Sequence, residues 1–146
     1  ACAAIDRGRA TPKRALVYSE LGKTPAFLQD VILAAEARRS WGIGGPGIKR
    51  LPLGVPGDAK IEVIRIEAGT KIPWHSHKGQ ELTLCIAGEF SDDRAVYGPG
   101  DFSVYRGDDR HQPVASTAGP AYALAVTDAG LRFEGLLGAL QKLFNA

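Results

Sequence analysis

Four residues of this chain have types and spacing that could do chemistry together: His75, His77, Glu81 and His111. Neutral imidazole and carboxylate are the donors that zinc, iron, manganese and nickel accept. Side chains alternate along a strand, so a His-x-His pair sends both imidazoles to one face. Pro73 and Trp74 place a strand just before that pair. Lys78, Gly79 and Gln80 make a short turn, and Glu81 opens the next strand, which folds the carboxylate back toward the imidazoles. Three ligands from two neighbouring strands thus converge, and His111, the remaining histidine of the chain, supplies a fourth. The donor set does not choose the ion. Four protein ligands can close a tetrahedral zinc site, yet structural zinc is usually cysteine-rich, and histidine with carboxylate also serves non-haem iron.

The elements that must position these residues read as short strands. Eighteen glycines and nine prolines are spread along 146 residues as turn punctuation. Such spacing favours many strands in an all-β sandwich or barrel of one domain. From Gly42, GIGGPG reads as a breaker. The extended runs IKRLPL, AKIEVIRIEAG, IPWHSH, ELTLCIAG, DRAVYG, DFSVYR, QPVAS and AYALAVTD follow it. Before them, residues 1–23 read as a solvated basic tail. TPAFLQDVILAAEARRSW then reads as a helix over 25–38, capped by Thr24 with Pro25 in its first turn. Its apolar face is expected to carry Phe27, Leu28, Val31, Ile32 and Ala35. At the other end, AGLRFEGLLGALQKLFNA has apolar residues at three- and four-residue steps and reads as a closing helix. The domain boundary falls at 39/40, with tail and helix before it and the barrel over 40–146.

Within ELTLCIAG, Thr83 and Cys85 share the inward face with Glu81, and Leu82, Leu84 and Ile86 point the other way. Those three need a cover, which a dimer partner or the N-terminal segment could provide. Cys85 reads as a small buried hydrophobe and not as a redox group. Glu89 and Asp101 offer carboxylates that could orient the imidazoles, although a turn role is the plainer reading of both. Trp74 points away from the metal face and reads as packing.

Several function classes drop out. A net charge of +2 is too small to argue for nucleic acid or membrane binding. No apolar run reaches the roughly 18 residues of a membrane span, and no secretory signal is evident. Two cysteines, Cys2 and Cys85, imply no disulfide framework and suit a reducing compartment, the cytoplasm. Residue 1 is alanine and methionine is absent, so the start reads as cut or processed.

The spacing Gly69, His75, His77, Glu81, Gly88 matches the first motif of the cupin family at every fixed place. The second motif is looser. Gly100 is in place, Arg106 stands where the family usually has proline, Asp108 where it has glycine, and Ala115 where it has asparagine, while His111 keeps the ligand place. More narrowly, the blocks HSHKGQELTLCIAGEFSDDRAVYGPGDF, HQPVAS and LAVTDAGLRFEGLLGALQ, with SWGIGGPGIKRLPL before them, resemble the cupin domain of ChrR-type anti-sigma factors over about residues 40–146. This resemblance implies a double-stranded β-helix, or jelly-roll barrel, with flanking helices. It also implies zinc held by His75, His77, Glu81 and His111, with iron, manganese or nickel as the alternatives. It implies a sensory role in release of an extracytoplasmic-function sigma factor after singlet oxygen or organic hydroperoxide. The sigma factor would be held by a preceding helical zinc domain, whose HxxxCxxC motif this chain lacks. The competing expectation is a stand-alone cupin enzyme, of dioxygenase or isomerase type, at the same four residues.

Overall fold

The computed structural model describes residues 21, 24–128 and 131–133. One helix, α1 (Ala26–Arg38), precedes β1 (Gly42–Gly45), β2 (Ile48–Pro52), β3 (Lys60–Ile66), β4 (His75–His77) and β5 (Gln80–Ala87). Then come β6 (Phe90–Ser91), β7 (Val96–Tyr97), β8 (Phe102–Arg106), β9 (Val114–Ala115), β10 (Ala121–Thr127) and β11 (Leu131–Phe133). A six-stranded sheet runs in the order β1-β2-β3-β10-β5-β8, and its neighbours pair antiparallel. Against it stand a three-stranded sheet, β7-β6-β9, and a pair, β11-β4. This is the two-layer jelly-roll arrangement, and the sheets do not join into a closed barrel.

Alternation along the strands divides the apolar residues between two cores. Between the layers, Ile66, Cys85, Ala121 and Ala123 of the large sheet meet Phe90, Tyr97 and Ala115 of the small one. On the outer face, Leu51, Leu53, Val63, Ile86 and Tyr122 meet Leu28, Ile32 and Ala35 of α1. The cover expected over β5 is therefore the N-terminal helix, which packs on Leu84 and Ile86 and leaves Leu82 42% exposed. Ile32 is fully buried there. Its truncation to alanine would cost about 2–5 kcal/mol.

Several expectations need correction. Leu21, placed in a solvated tail, is fully buried beside the helix; the rest of that tail lies outside the described residues. Pro25, not Thr24, is the N-cap, and no side chain caps the helix. A residue before proline is pushed out of the helical region, which sets Thr24 one place too early. Gln29 Nε2 instead donates to the carbonyls of Thr24 at 2.7 Å and Leu21 at 3.2 Å. Phe27 is 72% exposed, because the helix meets the sheet with Leu28, Ile32 and Ala35, flanked by the half-buried Val31.

GIGG is not a breaker but the edge strand β1, hairpinned to β2 with Gly47 at φ 70° in the turn. Leu131–Phe133, expected in a closing helix, forms β11 and pairs with β4, Phe133 opposite His75 and Leu131 opposite His77. The remainder of that expected helix lies outside the described residues.

Candidate metal centre

The three histidines come together in the space between the layers. His75 and His111 exchange backbone hydrogen bonds, His75 N to His111 O at 3.2 Å and His111 N to His75 O at 3.0 Å. That bridge sets the two residues directly opposite each other. His77 follows on the same face of β4 and donates its amide to Gly107 O at 3.2 Å. Gly107, with φ 45°, makes the turn for which the family pattern has its glycine one place later, at Asp108. All three imidazoles are buried, and their ligand atoms lie within 4.8 Å of one another.

The ring nitrogens face each other. His111 Nε2 lies 2.8 Å from His75 Nε2 and 3.0 Å from His77 Nε2. His75 Nδ1 sits 2.8 Å from the carbonyl oxygen of Pro73. A carbonyl only accepts, so this nitrogen carries the proton and Nε2 presents a lone pair. His111 Nε2 offers either one proton or one lone pair, so it can make a hydrogen bond to one of its two neighbours and leaves the other contact unsatisfied. His77 Nδ1 and His111 Nδ1 are buried without a hydrogen bond. A divalent ion resolves this arrangement, since bonds of about 2.0–2.1 Å hold neighbouring ligand atoms about 3 Å apart. The residues therefore fit a metal.

Electrostatics point the same way. Burial first, then His75, pushes His77 down to about 4. Burial first, then His75 and His77, pushes His111 down to about 3. His77 and His111 are thus neutral at physiological pH, as ligands must be.

Glu81 faces the same chamber from β5, opposite Tyr105 of β8, but stands at the edge of the triad. Its Oε1 is 4.0 Å from His111 Nε2 and accepts from Thr83 Oγ1 at 2.7 Å, while Oε2 is 3.5 Å from His77 Nδ1. Burial raises its carboxyl above the usual range, and the Thr83 hydroxyl opposes that shift.

Asp92 is the residue that sequence reasoning missed. Its side chain is 1% exposed, and its Oδ2 accepts from the Tyr105 hydroxyl and lies 3.8 Å from His111 Nδ1. Its Oδ1 accepts from the amides of Arg94 at 2.8 Å and Ala95 at 3.1 Å. The Tyr105 ring packs 3.8 Å from that of His111, with the Arg94 guanidinium 4.3 Å from its own centre. No local signal in SDDRAVYG singles out Asp92; the contact spans nineteen residues.

The plainer reading of Asp101 and Glu89, as turn residues and not as partners of the imidazoles, holds for Asp101. Asp101 accepts from Gly98 N in a turn, and Glu89 is exposed. Trp74 turns outward and carries Arg110 at 4.8 Å from its ring centre. Cys85 is a buried thiol pushed up to about 11 by burial, in keeping with a packing role.

The sequence pattern of the ChrR cupin-like domain matches residues 29–127. The chain belongs to the ChrR cupin-like domain family. It is 34% identical over 122 residues to the anti-sigma-E factor ChrR of Cereibacter sphaeroides, which covers 84% of this chain and 57% of that protein. The chain thus spans little more than half the length of this curated relative. It also aligns, at TM-score 0.66 and 30% identity, with a chain in the crystal structure of Rhodobacter sphaeroides SigE in complex with the anti-sigma ChrR, over 82% of this chain and 71% of that one. Two more distant likenesses show the cupin fold alone. KdgF from Halomonas sp. has a TM-score of 0.57 at 18% identity, over 64% of this chain and 90% of that one. The DMSP lyase DddQ from Ruegeria pomeroyi has 0.59 at 21%, over 75% and 68%. The ChrR cupin-like domain here thus has a buried histidine triad backed by Asp92 through His111.

Proposed function

We propose that this chain is the metal-binding sensory domain of a ChrR-like anti-sigma factor, holding zinc through His75, His77, Glu81 and His111. The observation that carries the reading is the convergence of three buried imidazoles with facing Nε2 atoms. When bound, the ion supplies the positive charge those lone pairs lack. The chain's own residues do the rest. Pro73 fixes the tautomer of His75, Asp92 and Tyr105 brace His111, and Thr83 holds one oxygen of Glu81. In this reading the cupin unit spans residues 40–146, after the tail and helix of 1–39.

The partner is an extracytoplasmic-function sigma factor, bound through a helical domain outside this chain. Support comes from the relatives, one named an anti-sigma-E factor and one crystallised with SigE. The signal is oxidative, singlet oxygen or an organic hydroperoxide, and the setting is the cytoplasm. No helix among the described residues is long and apolar enough to cross a membrane.

A second reading, a cupin metalloenzyme at the same four residues, is favoured by a cavity of about 440 Å³ beside the triad. Metal analysis of protein purified without added metal separates the two. The sensory reading expects mostly zinc, near one ion per chain. Stoichiometric iron with oxygen uptake would sink it.

A further inference from the structure

The cavity beside the triad has a composition that the metal does not explain. Its volume of about 440 Å³ falls within the roughly 300–1,000 Å³ of small-molecule sites. Ile48, Ile64, Ile66, Ile72, Phe90 and Pro113 line it as a broad apolar wall. Two cations also line it, Arg50 and Lys71, against one carboxylate, Glu81 at the metal end.

Arg50 is incompletely used where it stands. Its Nη2 pairs with Glu62 Oε1, and the same oxygen takes Lys60 Nζ at 3.2 Å. One buried carboxylate thus serves two cations, leaving positive charge in surplus. Arg50 Nε is buried with no hydrogen-bond partner among the described residues. Lys71, further along the wall, has no carboxylate partner among the described residues either. A buried donor without an acceptor costs about 1–3 kcal/mol, and surplus charge on a low-dielectric wall attracts an anion.

We propose that the cavity binds a small amphipathic carboxylate, with its apolar body against the isoleucine wall and its head at Arg50. A polyol would leave hydroxyls against isoleucine. A bare small anion would leave the apolar wall unfilled. The inference rests on the reading of the chain as a ligand-responsive domain, but it places the head on the arginine and does not need the ion.

The test uses the 146-residue chain in zinc-loaded and EDTA-stripped forms, with the metal content of every sample measured. Sodium octanoate, 1-octanol and sodium acetate are titrated by calorimetry. Octanoate is expected to bind one-to-one in both forms, at least tenfold tighter than octanol, with no saturable binding of acetate. Arg50→Gln is expected to bring octanoate down to the affinity of octanol. That variant strands Glu62, so Arg50→Gln/Glu62→Gln, which removes both partners of the pair, is measured beside it and is expected to lose the same selectivity while its melting temperature stays near the parent's.

Four results would overturn the proposal: no saturable octanoate binding, equal affinity for octanoate and octanol, octanoate binding confined to the zinc-loaded form, or undiminished binding by the double variant. Failure of the metal reading shows separately, as purified protein that carries no ion while octanoate still binds.

Discussion

Acid should weaken the metal-free protein, by an amount that follows from its two most displaced imidazoles. His77 and His111 are 1% and 2% exposed. They titrate near 4 and near 3 when folded, against 6.5 for an ordinary histidine. Both folded values lie below the unfolded one, so the unfolded chain takes up protons first as pH falls. The stability they contribute is complete above about pH 6.5 and is lost progressively down to about pH 3–4. At pH 5 each group gives up about 2 kcal/mol, from roughly 1.4 kcal/mol per pH unit below 6.5. Together they remove about 4 kcal/mol between pH 8 and pH 5, a large share of the 5–15 kcal/mol that holds most domains folded.

Glu81 works the other way. Its carboxyl is raised in the folded state, so its contribution is present at low pH and is lost as pH rises. The Glu81→Gln variant removes this offset.

The assay is urea unfolding of EDTA-treated protein at pH 8 and pH 5. With a slope of about 2 kcal/mol per molar, the midpoint should fall by about 2 M. In a His77→Gln/His111→Gln variant, that pH-dependent drop should largely vanish. Equal midpoints at the two pH values in the Glu81→Gln background would refute the reasoning, because a buried, neutral His77 and His111 cannot then be what the fold holds.

Other outcomes follow from single contacts. Either His111→Ala or Glu81→Ala should lower bound metal at least tenfold, read as metal content after dialysis; full occupancy in one of them removes that residue from the ligand set. Asp92→Asn should weaken metal affinity about 10–100-fold in a chelator competition, with the fold retained; unchanged affinity would mean that Tyr105 and the backbone alone hold His111 in place. Gly88→Ala should cost about 3–5 kcal/mol and lower the melting temperature by about 10 °C or more. Its Cβ would fall 2.2 Å from the Pro120 carbonyl oxygen at φ 69°. A melting temperature within 2 °C of the parent, roughly 1 kcal/mol or less, would show that the turn can shift aside.

Much of the architecture was legible because the signals that specify it are local. The strands ELTLCIAG, DFSVYR and AYALAVTD appear where alternation and turn residues put them, as β5, β8 and β10. The helix appears within a residue of its expected bounds. Misreadings gather where a long-range partner outweighed local preference. Gly42–Gly45 has little strand propensity of its own and is extended because β2 offers it a hydrogen-bonding edge. Leu131–Phe133 has helical spacing and is nevertheless a strand, since the exposed edge of β4 takes it up. Phe27 matches the helical face in projection and still points to solvent, while Leu28, Val31, Ile32 and Ala35 make the contact with the sheet.

The same division holds for the site. His-x-His on a strand, with a glutamate just past a short turn, dictated by its spacing alone that imidazoles and a carboxylate would share one face. The family pattern followed from that spacing. Sequence could not say how near the ligands come. The distance between His75 and His111 is set by one antiparallel bridge between segments thirty-six residues apart. Nor could it show Glu81 drawn aside by Thr83, Asp92 buried behind His111, or Arg50 left with a donor to spare on a cavity wall. Those are properties of space shared between strands distant in the chain. Alternation fixes which way a side chain points, whereas only the packing of one layer on the other fixes what it meets.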